Sequence, residues 1–396
     1  MKIVCLVAGL LVLFAAEILR VYFIMPFPGS QQSDTVSLAY WLHQNIGWLR
    51  LAGFVFLAYP TLKVFATGGR WAKASLTAAL AIYALAFYLF NFRFQADKMF
   101  YQPQTKVMAA RAANKVALDK LVIGVHIGNE AKAYPVQLIG YHHQVRDTVG
   151  GTPVMVTYCT VCRTGRVFSP EVDGKPENFR LVGMDHFNAM FEDQRTGSWW
   201  RQSTGEAVAG PLKGSKLYEF PSRQMTLRAW LNENSSSLVL QPDAAFTKDY
   251  DDLALFDNGT IKSSLERRDS ASWKEKSWVI GVKHKDEVKA YDWNQLQQSS
   301  MIQDSLPGLP LLLVMNSDSN SFHAWNRSLK GRVLQFAKMP ASGTLQDVNT
   351  GSVWTPNGYC MEGVLKGERL EPVQAYQEFW HSWKQFQPQT AQYKAQ

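Results

Sequence analysis

Residues 122–134 read VIGVHIGNEAKAY, and residues 279–291 read VIGVKHKDEVKAY. The offset is 157 positions, and of the 33 ungapped pairs that start at Leu121, 11 are identical, among them Asp147 with Asp304 and Gly151 with Gly308. The match resumes downstream: DQRTGSWW (193–200) pairs with DVNTGSVW (347–354), and GPLKGSKL (210–217) pairs with GVLKGERL (363–370). Self-similarity at a fixed spacing marks a duplication. The chain therefore reads as two diverged copies, 105–250 and 270–390, joined by a polar stretch.

Working outward, each copy is rich in strand signals. KLVIGVHIGNEAKAYP is a strand, a Gly-Asn turn and a returning strand. PVMVTY, GRVFS and NFRLVG are short β-branched and aromatic runs, and VDGKPE and DQRTGS are turns. Helical patterns are few: PVQLIGYHH, TLRAWLNEN and AYQEFWHSWKQF. The expected fold class is α+β and β-rich, with the two tandem repeats packed as one soluble region.

The first 95 residues differ in kind. Residues 3–25, 47–66 and 74–92 are almost continuously apolar, each near the roughly 20 residues that cross a bilayer as helix. Three transmembrane helices are expected in 1–95, although Glu17 and Arg20 interrupt the first. The loop 26–46 has no Lys or Arg, whereas the second loop holds Arg70 and Lys73. The positive-inside rule then places the N-terminus in the cytoplasm and the soluble part on the extracytoplasmic, periplasmic side of the inner membrane. The net charge is +8 with no basic run. That excludes a nucleic-acid motif and suits membrane lipid as a partner, with other envelope proteins as further candidates.

Two copies can be compared with each other. Residues in both, such as Gly124, Tyr134, Asp147, Thr196, Ser198 and Trp200, serve the fold. Residues in one copy are candidates for chemistry. Cys159, Cys162 and Arg166 face Asn316, Ser319 and His323; His142 faces Ser299; Arg195 and Arg201 face Asn349 and Thr355. The first copy thus carries the candidate site. Cys360 aligns with Ala207 and belongs to no such set.

Cys159 and Cys162 form an isolated C-x-x-C. Covalent haem attachment needs a histidine next, and Arg163 stands there. Gly165 and Val167 favour a return strand rather than a redox helix, so the thiols are expected at a hairpin tip. Arg163 and Arg166 could favour the thiolates. Two thiolates with His142 would suit copper or zinc; His126, His186 and nearby methionines are further donors. The alternatives are an envelope thiol–disulfide oxidoreductase with Cys159 attacking and Cys162 resolving, a local disulfide, and a non-catalytic assembly or binding protein.

These residues also carry a resemblance. YHHQVRDTVGGTPVMVTYCTVCRTGRVFSP, MFEDQRTGSWWRQSTGEAVAGPLKGSKL and TLRAWL resemble the DUF3179 family over about residues 105–245. The resemblance implies motif positions at His142, Asp147, Cys159, Cys162, Asp193, Thr196, Ser198, Trp200, Gln202, Gly205 and Gly210. Thr160 and Val161 stand where the family usually has Pro-Leu, and Arg195 sits one place later than the usual Asp-Arg. The family implies no reaction. Arg163, Arg166, Asp193, Arg195, Arg201 and Gln202 complete the expected site as supporting residues.

Overall fold

The computed structural model describes residues 2–339 and 343–395. It is a mixed α+β chain of two compact units: residues 1–101 with 171–216, and residues 102–170 with 217–396.

In the first unit, helices α1 (Lys2–Tyr22), α2 (Val36–Thr67) and α3 (Arg70–Phe92) are long and apolar enough to cross a membrane. At 1.5 Å per residue, the 32 residues of α2 reach beyond the roughly 30 Å hydrocarbon layer. Its first turns carry Tyr40 and His43, which pack edge-on against Trp199 of a four-stranded sheet. That sheet is Phe179–Asp185, Asn188–Asp193, Trp199–Arg201 and Ala207–Ala209, in chain order. Ile24, Ala39, Val182, Met190 and Trp199 form the shared core.

Glu17 and Arg20, the residues that interrupt the first apolar run, face into the helix bundle. Arg50 donates from Nε and Nη2 to the two Glu17 oxygens at 2.6 and 2.9 Å. Asn91 Nδ2 donates to Glu17 at 2.8 Å, and Arg20 donates to Asn91 Oδ1 at 2.8 Å. Charges in an apolar bundle persist when they are paired in this way.

The second unit holds both copies of the leading hairpin and the short helices, whereas DQRTGSWW (193–200) lies in the first unit and its counterpart 347–354 in the second. Leu121–Ile127 pairs antiparallel with Glu130–Pro135, as Trp278–His284 does with Glu287–Asp292. Ser222–Thr226 and Ala375–Phe379 occupy the same outer place in the two sheets, and Leu238–Leu240 and Ala391–Gln392 add the same parallel strand. Helices Val136–His142 and Trp293–Ser299 correspond, as do Leu227–Glu233 and Trp380–Phe386. Shared residues keep shared contacts: Tyr134 donates to Asp147 and Tyr291 to Asp304. A Cβ on Gly124 would lie 2.3 Å from the Trp230 ring, and one on Gly281 the same distance from Trp383. The glycine is present because the helix lays an indole directly on the sheet.

AYQEFWHSWKQF departs from its expected helix in its first half. Ala375–Phe379 is an outer strand, and the helix begins at Trp380. Sheet pairing with Trp278–Val282 overrides the local helical pattern there.

The copies meet reciprocally. The hairpin tip of the first copy docks at the start of the second copy's helix Trp380–Phe386, where Phe379 N donates to Cys162 O at 3.0 Å. The matching tip of the second copy docks at the start of helix Leu227–Glu233, where Thr226 N donates to Ser321 Oγ at 2.9 Å. Such exchange of equivalent contacts is the pattern of an isologous interface, here within one chain.

Candidate functional site

Strand Thr152–Cys159 turns through residues 160–163 into strand Thr164–Phe168, with Cys159 opposite Thr164. The C-x-x-C therefore lies at a hairpin tip. Arg163 closes the tip with φ of +55°. Both thiols are fully buried. Burial pushes the Cys162 thiol well above its ordinary pKa, and a hydrogen bond with Cys159 adds to the effect; Ser382 and the charge of Lys276 act in the opposite sense.

The walls come from the second copy and the joining stretch. Lys276 Nζ donates to Val161 O at 2.8 Å and lies 3.1 Å from His381 Nε2, which is itself 3.1 Å from Val161 O. Burial, with Lys276 beside it, lowers the His381 pKa to about 3, so the ring is neutral. Burial likewise lowers Lys276, while both thiols favour its charged form. Thr164 Oγ1 lies 3.4 Å from Ser382 Oγ, and Thr160 Oγ1 donates to Glu266 at 2.7 Å.

The two arginines expected to favour the thiolates are engaged elsewhere. Arg163 is fully buried, donates to the carbonyls of Phe256 and Asp257 at 3.2 and 3.0 Å, and lies 3.8 Å from the Trp278 ring centroid. Arg166 pairs with Glu378 and Glu219 over the Tyr376 ring. The charge of Lys276, whose Nζ is held on Val161 O between the two cysteines, favours the Cys162 thiolate.

His142 is buried on its helix, with Nε2 2.7 Å from the Tyr250 hydroxyl and its ring against Tyr141 and Phe246. Among the described residues no group of three or more His, Cys, Asp and Glu side chains is placed to hold a metal ion. Cys159 and Cys162 thus share one hairpin tip, and His142 stands on the helix Val136–His142.

Asp193, Arg195, Arg201 and Gln202 belong to the other compact unit. Asp193 closes its turn, accepting from Thr196 N at 2.6 Å and Trp200 Nε1 at 2.8 Å. Arg201 clasps Asp185 at 2.8 and 2.6 Å, Arg195 lies 3.5 Å from Glu177, and Gln202 accepts from Asn188.

Lys276, His381 and Ser382 went unread in the sequence. Their counterparts in the first copy are Asp119, Arg228 and Ala229. Comparing the copies in both directions would have singled them out, as it did the cysteines.

Searches of curated proteins and of solved structures return no match. The model of one family matches residues 102–390, across both copies. The chain belongs to that family, DUF3179, described as a protein of unknown function.

Proposed function

We propose that this is a membrane-anchored protein whose Cys159–Cys162 pair holds a soft monovalent metal ion, copper(I), on the extracytoplasmic side of the membrane. The observation that carries the reading is the placing of two fully buried thiols at one hairpin tip, with the Lys276 ammonium held 2.8 Å from the Val161 carbonyl between them. Thiolate is the soft donor that selects copper(I). Two thiolates and a monovalent ion leave one negative charge, which the Lys276 ammonium offsets. A structural zinc site takes four ligands, and the donor set beside the thiols does not fit that requirement. When bound, the ion would supply a charge that makes loss of both thiol protons favourable in a site where burial otherwise opposes it. His381 and Val161 O position the lysine, and the enclosing second copy keeps water from the sulfurs.

Disulfide exchange with envelope proteins is the second reading, since sulfurs in contact can close on each other. Full burial of both sulfurs weighs against it, because an attacking cysteine must be accessible to its partner.

The test uses the full chain in detergent, reduced and anaerobic, titrated with copper(I) against a coloured chelator. Wild type is expected to withdraw one ion per chain, Cys159→Ser and Cys162→Ser none, and Lys276→Met to hold it more weakly. No withdrawal by wild type, or undiminished withdrawal by either serine variant, overturns the proposal.

A further inference from the structure

A cavity of about 860 Å³ opens in the second unit where the two copies meet. Strand Ser222–Thr226 and helix Leu227–Glu233 wall it on one side, and strands Phe322–Asn326 and Ala375–Phe379 on the other. Its charged lining is two guanidiniums, Arg223 and Arg369, against one carboxylate, Glu233. Arg223 pairs with Glu233 at 2.7 Å. Arg369 lies over the Tyr359 ring and makes no ion pair among the described residues.

His323 lines the same cavity, 2 % exposed, stacked on Trp325, with Nε2 3.3 Å from Glu233. Burial and nearby Arg223 lower its pKa to about 3, so the ring adds no charge. Its Nδ1 has no hydrogen-bond partner among the described residues, and a buried polar atom ordinarily has one.

The duplication provides an internal comparison. The counterparts of His323 and Arg223 are Arg166 and Tyr376. There the guanidinium stacks on the ring, 3.5 Å from its centroid, and pairs with Glu378. One side of the seam is thus closed by its own residues, and the other is an open, net-positive cavity with flat apolar walls.

We propose that this cavity binds a small carboxylate with a flat apolar body: Arg369 takes the carboxylate, and the His323–Trp325 stack covers the body. Its volume lies in the range of small-molecule pockets, and an unpaired guanidinium presents the fork that matches a carboxylate.

The probe is 4-hydroxyphenylacetate, with the neutral alcohol 4-hydroxyphenethyl alcohol as its control. Binding is measured by equilibrium dialysis against the full chain in lipid nanodiscs, with empty nanodiscs as background. Saturable uptake of the acid is expected, with the alcohol bound about tenfold or more weakly, as loss of a charge-assisted contact requires. Arg369→Gln should weaken the acid by a similar factor with the thermal unfolding midpoint kept, and Arg369→Lys should recover part of the loss. No saturable uptake by wild type, equal binding of the alcohol, or undiminished binding by Arg369→Gln overturns the proposal.

Discussion

Gln224 and Gln377 are the same residue of the two copies, and they hydrogen-bond to each other, Gln224 Nε2 donating to Gln377 Oε1. An equivalent pair in contact marks where the local two-fold relation of the copies passes. Gln377 Oε1 also accepts from Arg163 Nε at 3.3 Å, so this contact sits one residue's reach from the thiol hairpin.

Breaking this contact should therefore be asymmetric. Gln224→Leu removes one buried donor and is expected to cost about 1–2 kcal/mol. Gln377→Leu also takes an acceptor from the buried Arg163 and should cost more, about 2–4 kcal/mol. The double variant should fall short of the sum, because the residues touch. Urea unfolding followed by tryptophan fluorescence measures all three, and equal single losses would refute the asymmetry.

The glycines under the two indoles give a matched pair of tests. Gly124→Ala and Gly281→Ala each place a methyl 2.3 Å from a ring carbon. Both should destabilise by about 1–3 kcal/mol, the usual cost of overpacking a filled core. Because the clash is the same in both copies, the two losses should agree within about 1 kcal/mol. Thermal or urea unfolding of the two variants side by side reads this.

Much of this architecture was legible in the sequence. The repeat, the hairpins and the short helices follow from alternation, turn residues and self-match, which are local signals. The hairpin tip at Cys159–Cys162 was equally plain, from Gly165 and Val167. Three things were not legible, for one physical reason: they depend on what packs against what. Residues 375–379 look helical and become a strand through pairing with Trp278–Val282. Arg163 and Arg166 stand beside the cysteines in sequence, yet aromatic rings, carbonyls and Glu378 draw their guanidiniums away. Lys276 and His381 are far away in sequence and reach Val161 only because the copies interlock.

Acid should destabilise the second unit early. Burial lowers His381 and His323 to about 3 and His143 to about 4, whereas an unfolded histidine titrates near 6.5. A depressed folded pKa gives stability that is present above about 6.5 and lost as pH falls towards 3–4. Unfolding free energy measured between pH 7.5 and 4.5 should drop steadily, and His381→Gln should make the drop shallower. A flat profile would count against neutral buried rings.

Alkali should act through Cys162. Its folded pKa is raised, so the metal-free, reduced protein has this contribution in full below the unfolded value of about 8.5 and loses it as pH rises beyond. Cys162→Ser should remove that alkaline slope. In the native protein a thiol-specific dye at pH 8 should react slowly with Cys159 and Cys162, and quickly after denaturation. Fast native labelling of either would contradict the burial.

The helix bundle offers a separate test. Arg50→Ala leaves Glu17 with a weaker partner set, and Asn91→Leu removes the nearer of two donors from the third helix, the other being the Tyr83 hydroxyl at 3.4 Å. Arg50→Ala is expected to be the more damaging, about 2–4 kcal/mol, since the buried carboxylate loses its closest cation and keeps only Arg20 at 3.5 Å. Asn91→Leu should cost about 1–2 kcal/mol, the range of hydrogen bonds between membrane helices. Unfolding in mixed detergent micelles ranks the two, and the reverse order would be inconsistent with Glu17–Arg50 as the central pair.

The walls of the thiol site lie far along the chain from the thiols. Lys276 and His381 stand 115 and 220 residues after Val161. During synthesis the hairpin emerges well before either, so the newborn protein displays an open dithiol that the finished one encloses. Assembly of the last helix is then the event that seals the site. Whatever occupies the sulfurs at that moment, be it protons, an ion or a bond between them, is what the mature protein retains.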